Sequence, residues 1–303
     1  MMNHPCGVLC VNKPQNFTSF DVIAKLRGIT RMKKLGHSGT LDPMATGVLP
    51  VFFGGATKAT DLLPNQDKCY KVSFRLGMVT DTQDIWGKEL SHSGKPVSLA
   101  ELEEVLPRFR GDILQLPPMY SAVSVNGQRL YDLARRGIEV EREPRPITVH
   151  ELTLLGYDPE KREGEAIVHC SKGTYIRTIC HDIGEALGTG GVMTGLCRVE
   201  AAGFSLDDCL TLDEIQSLAD EGKLWEHIFP VERMFLEYPK CCLNEIQARM
   251  FLNGVRLDLN RLAVKNLNGR CRIYGNDGTF LGLADADPET KELRLKKFFL
   301  ERN

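Results

Sequence analysis

Residues 68–77 alternate without a break. Tyr70, Val72, Phe74 and Leu76 fall on one side, and Lys71, Ser73 and Arg75 on the other. A period of two over that length marks a β-strand with one covered face. The chain therefore has a sheet to cover, and its helical stretches supply the cover. From Thr174 onward, Ile176, Ile179, Cys180, Ile183 and Leu187 form an apolar stripe at helical spacing, with Arg177 and His181 together on a neighbouring face. Thr18-Ser19-Phe20-Asp21, Ser98-Leu99-Ala100-Glu101 and Thr211-Leu212-Asp213-Glu214 are capping-box starts. The first leads a helix that turns Val22, Ile23 and Leu26 inward, and the second a helix reaching Phe109.

Further strands are expected at Gly7–Val11, Thr46–Phe53, Ile147–Leu155 and Ala166–Cys170, and further helices at Ala56–Leu63 and at Arg129–Arg136, which Gly137 stops. Strands and helices mix without a steady βαβ repeat, which favours an α+β fold. The character changes after residue 237. Asn244 caps a helix ending at Gly254, and Asn276-Asp277-Gly278 is a hairpin turn between Arg270–Tyr274 and Thr279–Leu283. Leu293–Leu300 closes the chain. Two domains are expected, residues 1–237 and a small, mostly β module at 238–303.

The chain has 303 residues, 42% hydrophobic and 26% charged, the composition of an ordinary soluble globular protein. No run approaches the ~20 apolar residues of a membrane span. The start, Met1 to Cys6, lacks the basic and apolar regions of a signal peptide, so a cytoplasmic protein is expected. The ten cysteines contain no Cys-x-x-Cys pair, and they are read as reduced core residues, with no metal site. A net charge of −2 does not announce a nucleic-acid partner. Charge is local, however: residues 24–35 carry Lys25, Arg27, Arg31, Lys33 and Lys34 and no acid. That stretch fits an RNA-facing surface or a plainly solvated helix face.

Gly36-His37-Ser38-Gly39-Thr40-Leu41-Asp42-Pro43-Met44-Ala45-Thr46-Gly47-Val48-Leu49-Pro50 holds a single carboxylate among three glycines and two prolines. Pro43 bars the α region to Asp42, and Gly39 and Gly47 open backbone angles closed to other residues. Two readings stand side by side. Asp-Pro in such a turn often only bonds its own backbone. A loop carboxylate aimed by rigid neighbours and backed by a core strand is also a place for chemistry.

The whole string resembles the active-site motif of the TruB family of tRNA pseudouridine synthases, Gly-His-x-Gly-Thr-Leu-Asp-Pro-x-Ala-x-Gly-Val-Leu, with every fixed letter present. The resemblance continues along nearly the whole chain. Asn12-Lys13-Pro14-Gln15-Asn16-Phe17-Thr18-Ser19 is similar to a Lys-Pro-x-Gly-x-Thr-Ser segment, with Asn16 in place of Gly. Lys68-Cys69-Tyr70 with Leu76-Gly77 and Thr80-Asp81-Thr82-Gln83-Asp84 resembles the next block. Gln115-Leu116-Pro117-Pro118-Met119-Tyr120-Ser121-Ala122 resembles another, with Ser124 where Lys is common. Ser171-Lys172-Gly173-Thr174-Tyr175-Ile176-Arg177 matches a fourth. Leu196-Cys197-Arg198 stands for Leu-Arg-Arg, and Val199-Glu200 departs from the more basic pattern usual there.

The resemblance implies a pseudouridine synthase fold: a mixed, largely antiparallel central sheet flanked by helices and loops, plus a C-terminal module like a PUA RNA-binding domain. It implies isomerisation of the uridine at position 55 in the T loop of tRNA, by base flipping, without cofactor. Asp42 would be the nucleophile, with Tyr70 and Arg177 as its catalytic partners. Arg177 would keep the acid ionised. Tyr70 would stack on the flipped base and move a proton. His37 would wedge the RNA loop open, and Tyr175, Leu196, Lys13, Gly39 and Thr40 would line the substrate site. Lys25, Arg27, Arg31, Lys33, Lys34, Arg129, Arg135, Arg136 and Lys172 are candidates for phosphate contacts. A monomer acting on a tRNA T stem-loop, with no membrane and no obligate protein partner, is expected. Rival readings are a guide-RNA-dependent synthase of the dyskerin type, an RNA-folding helper without catalysis, and a glycosidase, which would want a second acid.

Overall fold

The computed structural model describes residues 6–125 and 127–299. The first five residues and Leu300 thus lie outside the described residues. The chain divides into two compact units. The first comprises residues 1–42, 49–65 and 202–303, the second residues 43–48 and 66–201. The architecture is α+β, with both parallel and antiparallel strand pairs.

In the first unit, strand Gly7–Lys13 leads through a turn at Asn16 into helix Ser19–Thr30. Asn16 takes φ +65°, the left-handed angle the family's glycine would supply. Thr18 caps the helix with the reciprocal bond to Asp21 expected from the sequence. Val22, Ile23 and Leu26 pack with Leu9, Val11, Leu49, Phe53 and Ile215. Cys10 lies opposite Cys209 in a parallel pair, while Leu35–His37 runs antiparallel to the later half of Thr46–Phe53.

Residues 240–298 form a five-stranded sheet in the order Lys240–Cys242, Gly269–Tyr274, Phe280–Asp287, Glu292–Phe298, Leu257–Asp258. Helix Glu245–Leu252 covers it, and Cys241, Phe251, Cys271, Ile273 and Leu293 make its own core.

The second unit is built on the strand read from the alternation, Lys68–Leu76. Gly191–Ala201 and Glu163–Cys170 flank it antiparallel, followed outward by Arg145–Asp158 and the edge strand Gly111–Gln115. Thr46 and Gly47 join the other side of Gly191–Ala201 in parallel. Helix Ile176–Ala186 buries Ile176, Ile179, Cys180 and Ile183.

Several elements depart from the sequence reading. The expected helix Ala56–Leu63 is a 3₁₀ turn, Gly54–Ala59. Glycines open it, and the hydroxyls of Thr57 and Thr60 take the carbonyls three residues back, in competition with an α-helical ladder. Gly191–Ala201 is a strand although its sequence has no clean alternation. It is recognised only by neighbours on both edges. The helix expected from Thr174 starts at Ile176, because Tyr175 is held extended. Among the described residues, no helix is long and apolar enough to cross a membrane.

Candidate active site

The Asp42 loop is fixed at its base within the first unit. His37 pairs with Val51, and the Ser38 amide donates to the Pro50 carbonyl at 3.2 Å. Gly39 then takes φ +79°. Leu41 is buried. Its amide donates to Ser19 Oγ at 2.9 Å, and the same hydroxyl donates back to the Leu41 carbonyl at 3.3 Å. Ser19 is itself the buried first residue of its helix, so the backbone one residue before Asp42 is pinned to a rigid element. Asp42 is half-buried, and Gly39 and Thr40 are exposed. Lys13 is fully buried, with its ammonium donating to the carbonyls of Pro14, at 2.9 Å, and Phe17.

Lys25, Arg27, Arg31, Lys33 and Lys34 are all exposed, along the Ser19–Thr30 helix and the loop that follows it. Arg31 ends the helix in the left-handed region, φ +59°.

In the second unit, Tyr70 is buried at the centre of the sheet, opposite Arg198 on one side and Val168 on the other. Val72 lies opposite Leu196. Facing residues of adjacent strands share a face, as do residues two apart along a strand. Tyr70, Val72, Leu196 and Arg198 are therefore one block on one face, which brings together two of the residues the sequence singled out. Arg198 is fully buried, and its Nε donates to the Val48 carbonyl at 2.8 Å. Gly47 takes φ +101°, and a Cβ there would overlap the Arg198 backbone. Close approach of these two strands requires glycine at position 47. Burial, and then the Arg198 charge, lower the pKa of the Lys68 ammonium.

Arg177 sits in the first turn of the Ile176–Ala186 helix, where the helix dipole disfavours a cation. Two acceptors compensate. Nη1 lies 3.7 Å from Asp84 Oδ2, and Nη2 donates to the Tyr120 carbonyl at 2.8 Å. Asp84 Oδ1 accepts from Thr82 Oγ1 at 2.7 Å and from the Trp86 amide at 3.2 Å. The guanidinium stands 5.9 Å from the Tyr175 ring centroid. Gln115 clamps the Tyr175 peptide from both ends: its Nε2 donates to Tyr175 O at 3.1 Å, and Tyr175 N donates to its Oε1 at 2.8 Å. Arg129, Arg135, Arg136 and Lys172 are exposed, and the first two flank the Tyr131 ring at 5.9 and 5.6 Å.

Asp84, Gln115 and Arg198 were not singled out from the sequence, although each lies in a motif block. A buried carboxylate or guanidinium needs a partner, but the partner is unknown until the chain is folded. All ten cysteines are free thiols. Among the described residues, no group of three or more His, Cys, Asp or Glu side chains is placed to hold a metal ion.

Solved structures share the fold. A Cbf5-Nop10-Gar1 complex matches with a TM-score of 0.74 and 25% identity, covering 98% of this chain and 85% of the other. An H/ACA RNP bound to a substrate RNA containing 2'-deoxyuridine matches with a TM-score of 0.73 and 23% identity, over 98% and 86%. Residues 27–176 match the N-terminal domain of the TruB family pseudouridylate synthases, and residues 177–236 the tRNA pseudouridylate synthase B C-terminal domain. The protein named tRNA pseudouridine synthase B from Clostridium tetani is 43% identical over 94% of this chain and 96% of its own length. Its counterpart from Clostridium novyi is 42% identical over 97% and 99%. The chain belongs to the TruB family of pseudouridylate synthases.

Proposed function

We propose that this TruB-family enzyme, an isomerase of uridine to pseudouridine in tRNA, acts at position 55 of the T loop with Asp42 as nucleophile and no cofactor. The observation that carries the assignment is the anchoring of Asp42: a half-buried acid directly after a residue pinned in both directions to Ser19. A nucleophile that must wait while a base detaches and turns over benefits from such a fixed mount.

The reaction breaks the C1′–N1 bond, turns the uracil, and joins C1′ to C5. The C5 proton leaves and N1 gains one. Asp42 stabilises the detached state by attack at C1′ or C6. Tyr70 offers a ring face to the base and a hydroxyl to move the proton. Arg177 supplies the cation that keeps the nucleophile ionised. A guanidinium carries five donors in a fork and can serve two acids. His37 holds the RNA loop open, Tyr175 and Leu196 line the base pocket, Gly39 and Thr40 shape its entrance, and the buried Lys13 supports the substrate site from within. The exposed basic residues at 25–34, with Arg129, Arg135, Arg136 and Lys172, hold phosphates. Residues 238–303 form a separate RNA-binding module, and the enzyme works as a cytoplasmic monomer.

Incubation with T stem-loop RNA tritiated at uracil C5 tests the reading. Tritium release from the unaltered protein and its loss in Asp42→Asn are expected. Full release by Asp42→Asn would remove Asp42 from the mechanism, and free uracil would mean hydrolysis instead. The likeness to a Cbf5-Nop10-Gar1 complex favours a second reading, dependence on protein partners. Modification of bare tRNA by the purified chain excludes it.

A further inference from the structure

We propose that Trp86 is a stacking platform for an unpaired nucleobase of the bound RNA, next to the one that reacts. This rests on the reading of the chain as an RNA-modifying enzyme. Trp86 is one of two tryptophans, and 49% of it is exposed. It stands in the turn between strands Met78–Thr80 and Glu89–His92.

That turn is rigid. Thr80 Oγ1 donates to the Asp84 carbonyl at 2.7 Å, and the Ile85 amide to the Met193 carbonyl at 2.9 Å. The Gly87 amide returns to the Asp84 carbonyl at 3.2 Å, and the Lys88 amide donates to Asp81 Oδ1 at 2.7 Å. A Cβ at Gly87 would overlap the Thr82 hydroxyl, so the turn closes only around glycine. A large, stiff side chain is thus held out by a stiff backbone, and little order remains to be gained on binding.

The position points to RNA. The Trp86 amide bonds the same carboxylate that pairs with Arg177. Two residues of chain span at most about 7 Å, so the Trp86 backbone is tethered close to the acid that holds the catalytic arginine. Lys88, two residues on, is exposed in the same turn and adds a cation to it. An aromatic and a cation side by side is the chemistry that holds single-stranded RNA, since every base has a π face and every linkage a charge. A protein-docking patch would need contiguous apolar surface, whereas the turn continues as Gly87 and Lys88.

Two measurements on the full-length protein decide it. Indole emission is followed while T stem-loop RNA is added. Quenching is expected in the unaltered protein and in Trp225→Phe, and most of it is lost in Trp86→Phe. In steady-state assays Trp86→Ala raises KM about tenfold and leaves kcat within about twofold, and Trp86→Phe restores most of the KM. The proposal is overturned if quenching survives in Trp86→Phe, if KM is unchanged in Trp86→Ala, or if only kcat falls, which would mean the turn merely positions Asp84. Should the unaltered protein leave the RNA unmodified, the reading of its activity fails, while the quenching still reports on stacking.

Discussion

Arg177 and Asp84 face each other at 3.7 Å with side chains 8% and 2% exposed. A buried pair of this kind adds little net stability over an apolar pair, but removing one partner strands the other charge. Asp84→Ala should therefore lower the unfolding free energy by about 3 kcal/mol in urea titrations. Asp84→Asn, which keeps the shape and the bonds to Thr82 and Trp86, should lose less. Single-turnover rates should fall in both. An Asp84→Ala protein as stable as the unaltered one would mean that Arg177 does not depend on this acid.

Gly47 admits no side chain. Its φ of +101° and the Arg198 backbone beside it oppose any Cβ. Gly47→Ala should cost about 3 kcal/mol, from strain and overlap together. Tyr70, opposite Arg198 on the next strand, should report the disturbance as reduced kcat. A thermal midpoint unchanged by the substitution would contradict the packing described.

Gln115 sets the start of the helix that carries Arg177. Its two bonds to the Tyr175 peptide keep that residue extended. Gln115→Leu should cost about 1 kcal/mol, because the Tyr175 amide loses its acceptor while the Tyr175 carbonyl keeps the Thr178 and Ile179 amides. Hydrogen exchange at the Tyr175 amide should accelerate well beyond that of the helix interior. Equal protection in variant and parent would argue against the clamp.

The buried thiols set an alkaline limit to stability. Burial pushes the Cys170 thiol up to about 11 and the Cys180 thiol up to about 12, well above the ordinary thiol range. Cys271 rises to about 12 for the same reason. Above pH 9 the unfolded chain releases these protons and the folded chain retains them, so stability is full below pH 9 and falls as pH rises toward 12. Cys180→Ala should flatten that decline in urea midpoints measured between pH 8 and 10.5. Mild alkylation of the native protein should reach the exposed Cys242 well before Cys170, Cys180 or Cys271.

Much of the architecture is legible locally. The alternation at 68–77 is the Lys68–Leu76 strand, the Thr18 capping box opens a helix, and the Asn276-Asp277-Gly278 turn joins two strands. These signals are carried by neighbours in the chain. Gly191–Ala201 lacked such a signal. It carries glycines and no alternation, and is a strand because Lys68–Leu76 pairs along it. The Ala56–Leu63 stretch had helical composition, yet its opening glycines and threonine hydroxyls favour a tighter turn.

The sequence by itself determined the family, the α+β class and the stiffness of the Asp42 loop, because motif identity, periodicity and proline or glycine backbone limits reside in consecutive residues. Only the tertiary structure decided which groups meet: Asp84 with Arg177, Gln115 with the Tyr175 peptide, Gly47 against Arg198. Each joins segments 60 to 151 positions apart in the chain. No local preference encodes such a pair. What selects it is the cost of leaving a buried charge or peptide group unmatched once the sheet has closed around it.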